Sequence, residues 1–125
     1  MFSLSLDGSS TFKVASRSGV SVFATDGSAP NPFEGALATI AACAGVYAHK
    51  ACAAAGIDSA GIGIRLKPSA ALGGAEIRRI AILTHFPDGF PAELIPRVLD
   101  SIAECPVKSM IQHGNAIDFR IETSR

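Results

Sequence analysis

The chain has 125 residues, 48% of them hydrophobic, with 11 Lys and Arg set against 11 Asp and Glu. That length supports one hydrophobic core, so residues 1–125 are expected to form a single domain. Balanced charge without any basic block argues against a nucleic-acid partner, which needs clustered Lys and Arg to neutralise phosphates.

The amino terminus, MFSLSLDGSS, has no cationic start and reaches Asp7 before any long apolar run, so it does not read as a signal peptide. FSLSL and TFKVA alternate apolar with polar residues around a DGSS turn, and GVSVFA follows SRSG, which predicts three strands over residues 2–24. TDGSAPNP then interrupts the chain with turn formers. Asn31 suits a helix N-cap, Pro32 the first helical position and Glu34 the acid of a capping box. The helix they start is expected to run from Pro32 to about Ala55 and to end at Gly56. It is apolar almost all round and so should be covered on most sides. Its uncharged stretch, Gly35 to Ala48, is shorter than the roughly 20 apolar residues of a membrane span, so a buried core helix is expected and no membrane partner.

IGIRL and AEIRRIAILTHF read as two further strands joined by KPSAALGG. DGFPAELIPRVLDSIAEC is expected to form a second helix with Leu94, Ile95, Val98, Leu99 and Ile102 as its apolar residues. Pro106 stops it and starts a short third helix, PVKSMIQ, and AIDFRIE alternates again as a closing strand. The order βββ-α-ββ-α-α-β defines an α+β fold with an antiparallel sheet and a long central buried helix.

Three cysteines, without an export signal, read as thiols of a cytoplasmic protein and not as a disulfide framework. Cys43 stands eleven residues beyond Pro32, about 16 Å along the axis, past the reach of the helix dipole. Its plain reading is a small core hydrophobe. Cys105 precedes Pro106, so its sulfur can cap the free amides of Val107 and Lys108, where partial positive charge favours thiolate; a buried loop thiol is the alternative. Cys52 lies half a turn around the helix from Cys43. With His49 it makes half of a possible metal site, but no second ligand pair has suitable spacing, and His85 and His113 are isolated. No metal or cofactor is therefore expected.

NPFEGALATIAAC and ECPVKSMI, the latter followed by GNAIDFRI, together resemble the OsmC/Ohr-like family, and the element order resembles it along nearly the whole chain. The resemblance implies a thiol peroxidase that reduces organic hydroperoxides, folded as an intertwined homodimer with active sites between subunits. It implies Cys43 as the peroxidatic and Cys105 as the resolving cysteine, joined in a disulfide that an external dithiol, of lipoyl type in this family, reduces. It also implies an arginine from the amino-terminal strands paired with a glutamate early in the central helix. Arg17 is the best positional match, with a solvated turn residue as its alternative, and Glu34 is the nearest acid. Peroxidase members carry Asn-Pro-Glu, whereas Phe33 follows Pro32 here and Glu34 comes one residue later, where capping explains it equally well. That departure keeps a second function in view: a non-enzymatic member that binds a small apolar ligand or senses redox state at the dimer interface.

Overall fold

A computed structural model describes residues 1–70 and 77–122. In chain order it contains β1 (Thr11–Ser16), β2 (Gly19–Ala24), α1 (Pro32–Ala54), β3 (Gly63–Ala70), β4 (Ile77–His85), a 3₁₀ turn (Ala92–Leu94), α2 (Ile95–Ala103) and α3 (Pro106–His113). The fold is α+β with antiparallel pairing, as expected, but its described strands form two separate two-stranded sheets, β1–β2 and β3–β4. Two compact units emerge, Met1–Ala42 with Arg65–Leu83 and Cys43–Ile64 with Thr84–Arg125.

In the first unit β1 and β2 make a hairpin in register from Thr11↔Ala24 to Ser16↔Gly19. The DGSS turn before it is held by Asp7 Oδ1, which accepts the Ser9 N–H at 2.9 Å. The strand expected over FSLSL is reduced to one bridge, Ser3↔Ala15, and Phe2, Leu4 and Leu6 stay exposed. Alternation is present there, but the chain supplies a backbone partner at a single position, and a strand needs a ladder. Phe23 of β2 lies against α1 at Gly35, where any Cβ would collide with its ring; glycine is what permits the approach.

Both ends of α1 follow from local chemistry. Asn31 Oδ1 accepts the Glu34 N–H at 2.8 Å, satisfying one of the orphan amides of the first turn. Glu34 Oε1 in return accepts from the Asn31 side-chain amide at 3.4 Å, where the capping-box pattern predicts the backbone amide. At the other end Gly56 takes φ +71°, Ile57 N–H donates to Cys52 O at 2.9 Å, and Gly56 N–H donates to Ala53 O at 3.1 Å. These paired bonds are a Schellman closure, and its left-handed residue costs glycine nothing.

Ile40, Ala44, Ala48 and Cys52, four residues apart, form the buried stripe of α1. The chain's own residues cover less of this helix than its composition predicts. Only 28% of its most apolar 18-residue window is buried, and Phe33 and Val46 are 59% and 50% exposed. By length and composition alone it also matches a membrane-crossing helix.

In the second unit the expected second helix begins later than its pattern suggests. Asp88 and Gly89 turn, Ala92–Leu94 make the 3₁₀ turn, and α2 starts at Ile95 with Pro96 in its first turn. Leu94, Val98 and Ile102 are buried while Leu99 is 45% exposed, so the apolar stripe is narrower than predicted. AIDFRIE, expected as a strand, carries no regular secondary structure through residue 122. Its alternation is nevertheless visible: Asp118 and Arg120 pair at 3.6 Å, while Ile117, Phe119 and Ile121 are 74%, 94% and 91% exposed. Of the predicted loop KPSAALGG, Lys67 to Ala70 continue β3 and the remainder lies outside the described residues.

The cap of α1 yields a direct test. Asn31→Ala is expected to lower stability by about 1 kcal/mol, a fall of a few degrees in Tm, whereas Asn31→Asp retains most of it; thermal unfolding followed by circular dichroism measures both.

Candidate active site

Two of the sequence-predicted residues meet in the second unit. Cys43, half-buried on α1, is joined to Cys105 in a disulfide with Cα atoms 6.0 Å apart across 62 residues of sequence. That separation lies in the usual range for a bridge of this kind, so neither backbone needs to deform. The sixty-odd residues between the cysteines in sequence collapse to bonding distance because α2 delivers its own C-terminus to the middle of α1.

Cys105 is placed by the end of one helix and the start of the next. Its N–H donates to Ile102 O at 3.1 Å, closing α2, and Pro106 occupies the first position of α3. Cys105 Sγ then accepts the Lys108 N–H at 3.4 Å. Of the two amides expected at this sulfur, the Lys108 amide makes the bond. Pro106 has no N–H to offer and the Ser109 N–H donates to Cys105 O at 3.0 Å, so the sulfur caps the start of a helix, the setting in which thiolate charge is favoured. Cys105 is 1% exposed, closed over by its own chain.

One anchor had no signal in the sequence. Ser101 Oγ donates to Tyr47 O at 2.9 Å, tying α2 to α1 one turn beyond Cys43. The two residues are 54 apart, and a serine on a helix face ordinarily reads as solvated surface. Lys50 Nζ sits 4.9 Å from the centre of the Tyr47 ring, so its charge is engaged with that aromatic face.

The other thiol and the histidines take no part. Cys52 is free, fully buried, and its thiol is pushed up by desolvation and, secondarily, by Asp58. It is a packed hydrophobe. His49 Nδ1 lies 2.7 Å from Ser59 Oγ, so the histidine pairs with a hydroxyl instead of sharing a metal with Cys52. Among the described residues no three His, Cys, Asp or Glu side chains are grouped as a metal site.

Arg17 and Glu34 belong to the first unit. Arg17 is exposed in the turn between β1 and β2, and Glu34 is occupied at the N-cap of α1. The ion pair between them that the resemblance implies is not formed among the described residues. An open recess beside the start of α1, lined by Thr25, Pro30, Asn31 and Glu34 among others, does not include either bonded cysteine.

The fold agrees with the comparisons to known proteins. The sequence profile of the family described as OsmC-like protein matches residues 25–120, which spans both cysteines, and the chain belongs to this family. Its fold is similar to that of an osmotic-stress-induced and detoxification-response protein from Psychrobacter arcticus, with a TM-score of 0.71 at 15% identity over 86% of this chain and 85% of that one. It is similar again to an OsmC-like protein from Mycoplasma pneumoniae, with a TM-score of 0.71 at 16% identity over 90% of this chain and 86% of that one. No curated protein matches the sequence.

Two outcomes follow from the thiols. Opening a disulfide that spans this many residues is expected to cost about 4 kcal/mol in loop entropy, so dithiothreitol should lower the urea unfolding midpoint by about 2 M. Because Cys52 titrates higher when folded than unfolded, its contribution is complete below the ordinary thiol range and is lost as pH rises beyond about 8.5. Cys52→Ala should therefore flatten the alkaline fall of stability, as measured by urea unfolding at pH 7 and pH 10.

Proposed function

We propose that the protein is a thiol-dependent peroxidase that reduces organic hydroperoxides and works as a homodimer. The observation that carries this reading is the Cys43–Cys105 disulfide, which pairs a half-buried helix thiol with a buried, helix-capped one. Membership of a family that includes peroxidase-type members supports it, as does likeness to a protein described by osmotic stress and detoxification.

In the reduced protein the Cys43 thiolate attacks the terminal oxygen of the hydroperoxide. The O–O bond breaks, the alkoxide leaves and takes a proton to become an alcohol, and Cys43 becomes a sulfenic acid. Cys105 then attacks that sulfur; the S–S bond forms, the S–O bond breaks, and hydroxide leaves as water after protonation. An external dithiol, of lipoyl type, restores both thiols by two exchange steps and is itself oxidised to a disulfide. The apolar surface of α1 favours a greasy peroxide over hydrogen peroxide, because such a substrate sheds its hydration at little cost.

The single chain leaves apolar surface that a second copy would cover. Phe33 and Val46 on α1, Phe2 and Leu6 near the amino terminus, and Ile117, Phe119 and Ile121 at the other end are all exposed. In this reading Arg17, paired with Glu34, supplies the cation for Cys43, from its own chain or from that of the partner.

A second reading is favoured by Phe33, which stands exposed where peroxidase members carry an acid. Here the protein binds a small apolar ligand or reports redox state, and the disulfide is its signal.

Thiol counting by mass spectrometry, followed by turnover of excess peroxide with a dithiol, separates the two. With one equivalent of cumene hydroperoxide, loss of two thiols within seconds and a Cys43–Cys105 link are expected. Cys43→Ser should abolish turnover, Cys105→Ser should let the sulfenic acid over-oxidise, and Cys52→Ala should retain activity. Turnover surviving Cys43→Ser would remove the peroxidase reading.

A further inference from the structure

We infer that the two sulfurs of the disulfide are unequal toward the reductant: the incoming thiolate bonds to Cys43, and Cys105 is expelled as the leaving thiolate. This rests on the disulfide being recycled by an external dithiol, and it specifies the atom at which that recycling begins.

Access is the first ground. Thiol–disulfide exchange needs the attacking sulfur to reach one of the bonded pair, and the rate depends on which one is open. Cys105 is 1% exposed within its own chain, while Cys43 is half-buried. Association with a second copy removes surface and adds none, so Cys105 stays closed in any assembly that keeps this fold. The hydroperoxide must itself reach the Cys43 sulfur, so an opening on that side is required by the peroxidase chemistry already, and the reductant can use the same one.

Charge is the second ground. When the S–S bond breaks, one sulfur carries away the electron pair, and the lower its thiol pKa, the faster it leaves. Cys105 Sγ already accepts the Lys108 N–H at 3.4 Å, at a helix start whose first residue is Pro106. That amide and the end of the helix are in place for the charge that develops, so no group has to move to stabilise it. Cys43 lies mid-helix, where the backbone amides are committed to the i−4 carbonyls and offer no such donor. Leaving from Cys43 would put the charge where nothing in the helix stabilises it.

The balanced step is R–S⁻ attacking Cys43 Sγ: the R–S–S–Cys43 bond forms, the Cys43–Cys105 bond breaks, and Cys105 leaves as thiolate under the Lys108 amide. With a dithiol the second sulfur of the reductant then attacks its own mixed-disulfide sulfur. The reductant closes as a cyclic disulfide, and Cys43 leaves as the second thiolate.

The test uses the full chain, oxidised with diamide so that it does not depend on peroxide turnover. The protein is exposed briefly to excess 2-mercaptoethanol, a thiol that cannot close on itself, and quenched with N-ethylmaleimide under denaturing conditions before peptide mapping. Expected is mercaptoethanol on Cys43 and maleimide on Cys105, in about tenfold excess over the reverse pattern. Mercaptoethanol on Cys105 and maleimide on Cys43, or a near-even division, would overturn the inference. So would failure of any adduct to form, since an open Cys43 sulfur must react. Lys108→Pro, which removes the donor at a position in the first turn, should slow the exchange severalfold without moving the adduct; an unchanged rate would remove the helix from the argument. A failed peroxidase assay with a Cys43 adduct would sink the peroxide reaction alone, and the reverse combination would sink this inference alone.

Discussion

A sulfur–sulfur bond between the middle of one helix and the cap of another is the constraint on which the second unit depends. Neither thiol has a reason to be reactive alone. Cys43 sits in an apolar helix too far from its start to feel the dipole, and Cys105 is sealed by its own chain. Bonded, each supplies what the other lacks: Cys43 is the less buried residue, and Cys105 Sγ accepts the Lys108 amide at the start of α3. The Ser101–Tyr47 hydrogen bond holds α2 to α1 close by, so the bond does not have to carry that alignment alone. A part-buried hydrogen bond of this kind contributes about 1 kcal/mol, small beside the loop entropy the disulfide removes.

The asymmetry between the sulfurs also bears on the cation that the proposed peroxidase requires. A peroxidatic thiolate needs positive potential while it waits for substrate, and the helix start that provides it here faces Cys105. Lys50, the nearest charged residue along α1, is engaged with the Tyr47 ring. Arg17 lies at a hairpin turn of the other unit and Glu34 at a cap, each with a sufficient local explanation. In the proposed cycle the built-in donor therefore acts after peroxide reduction, when a thiolate must leave.

Local chemistry was the legible part of the sequence. Asn31, Pro32 and Gly56 set the limits of α1 to within a residue, because capping needs only neighbours in sequence. Cys105 before Pro106 gave away its cap for the same reason, with the Lys108 amide as the actual donor. What could not be read was whatever depends on distant partners. Ser101 meets Tyr47 across a separation that no periodicity encodes, and the start of α2 is delayed by a 3₁₀ turn inside an otherwise continuous helical pattern. The disulfide came from family resemblance, since nothing in the spacing of Cys43 and Cys105 brings them together.

The two terminal strands failed for a different reason. FSLSL and AIDFRIE have the period of strands, and the second still separates an ionic face from an apolar one. Alternation states that a segment can bury one face; it does not state against what. A strand also needs backbone partners, and within this chain the first segment finds one bridge and the second finds no ladder among the described residues. The half of α1 that remains open behaves the same way: its composition asks for more cover than the chain provides. In the homodimer proposed here these surplus apolar faces share one cause. In that reading a single copy completes the disulfide, and a second copy would cover the exposed apolar faces of α1 and of the two terminal segments.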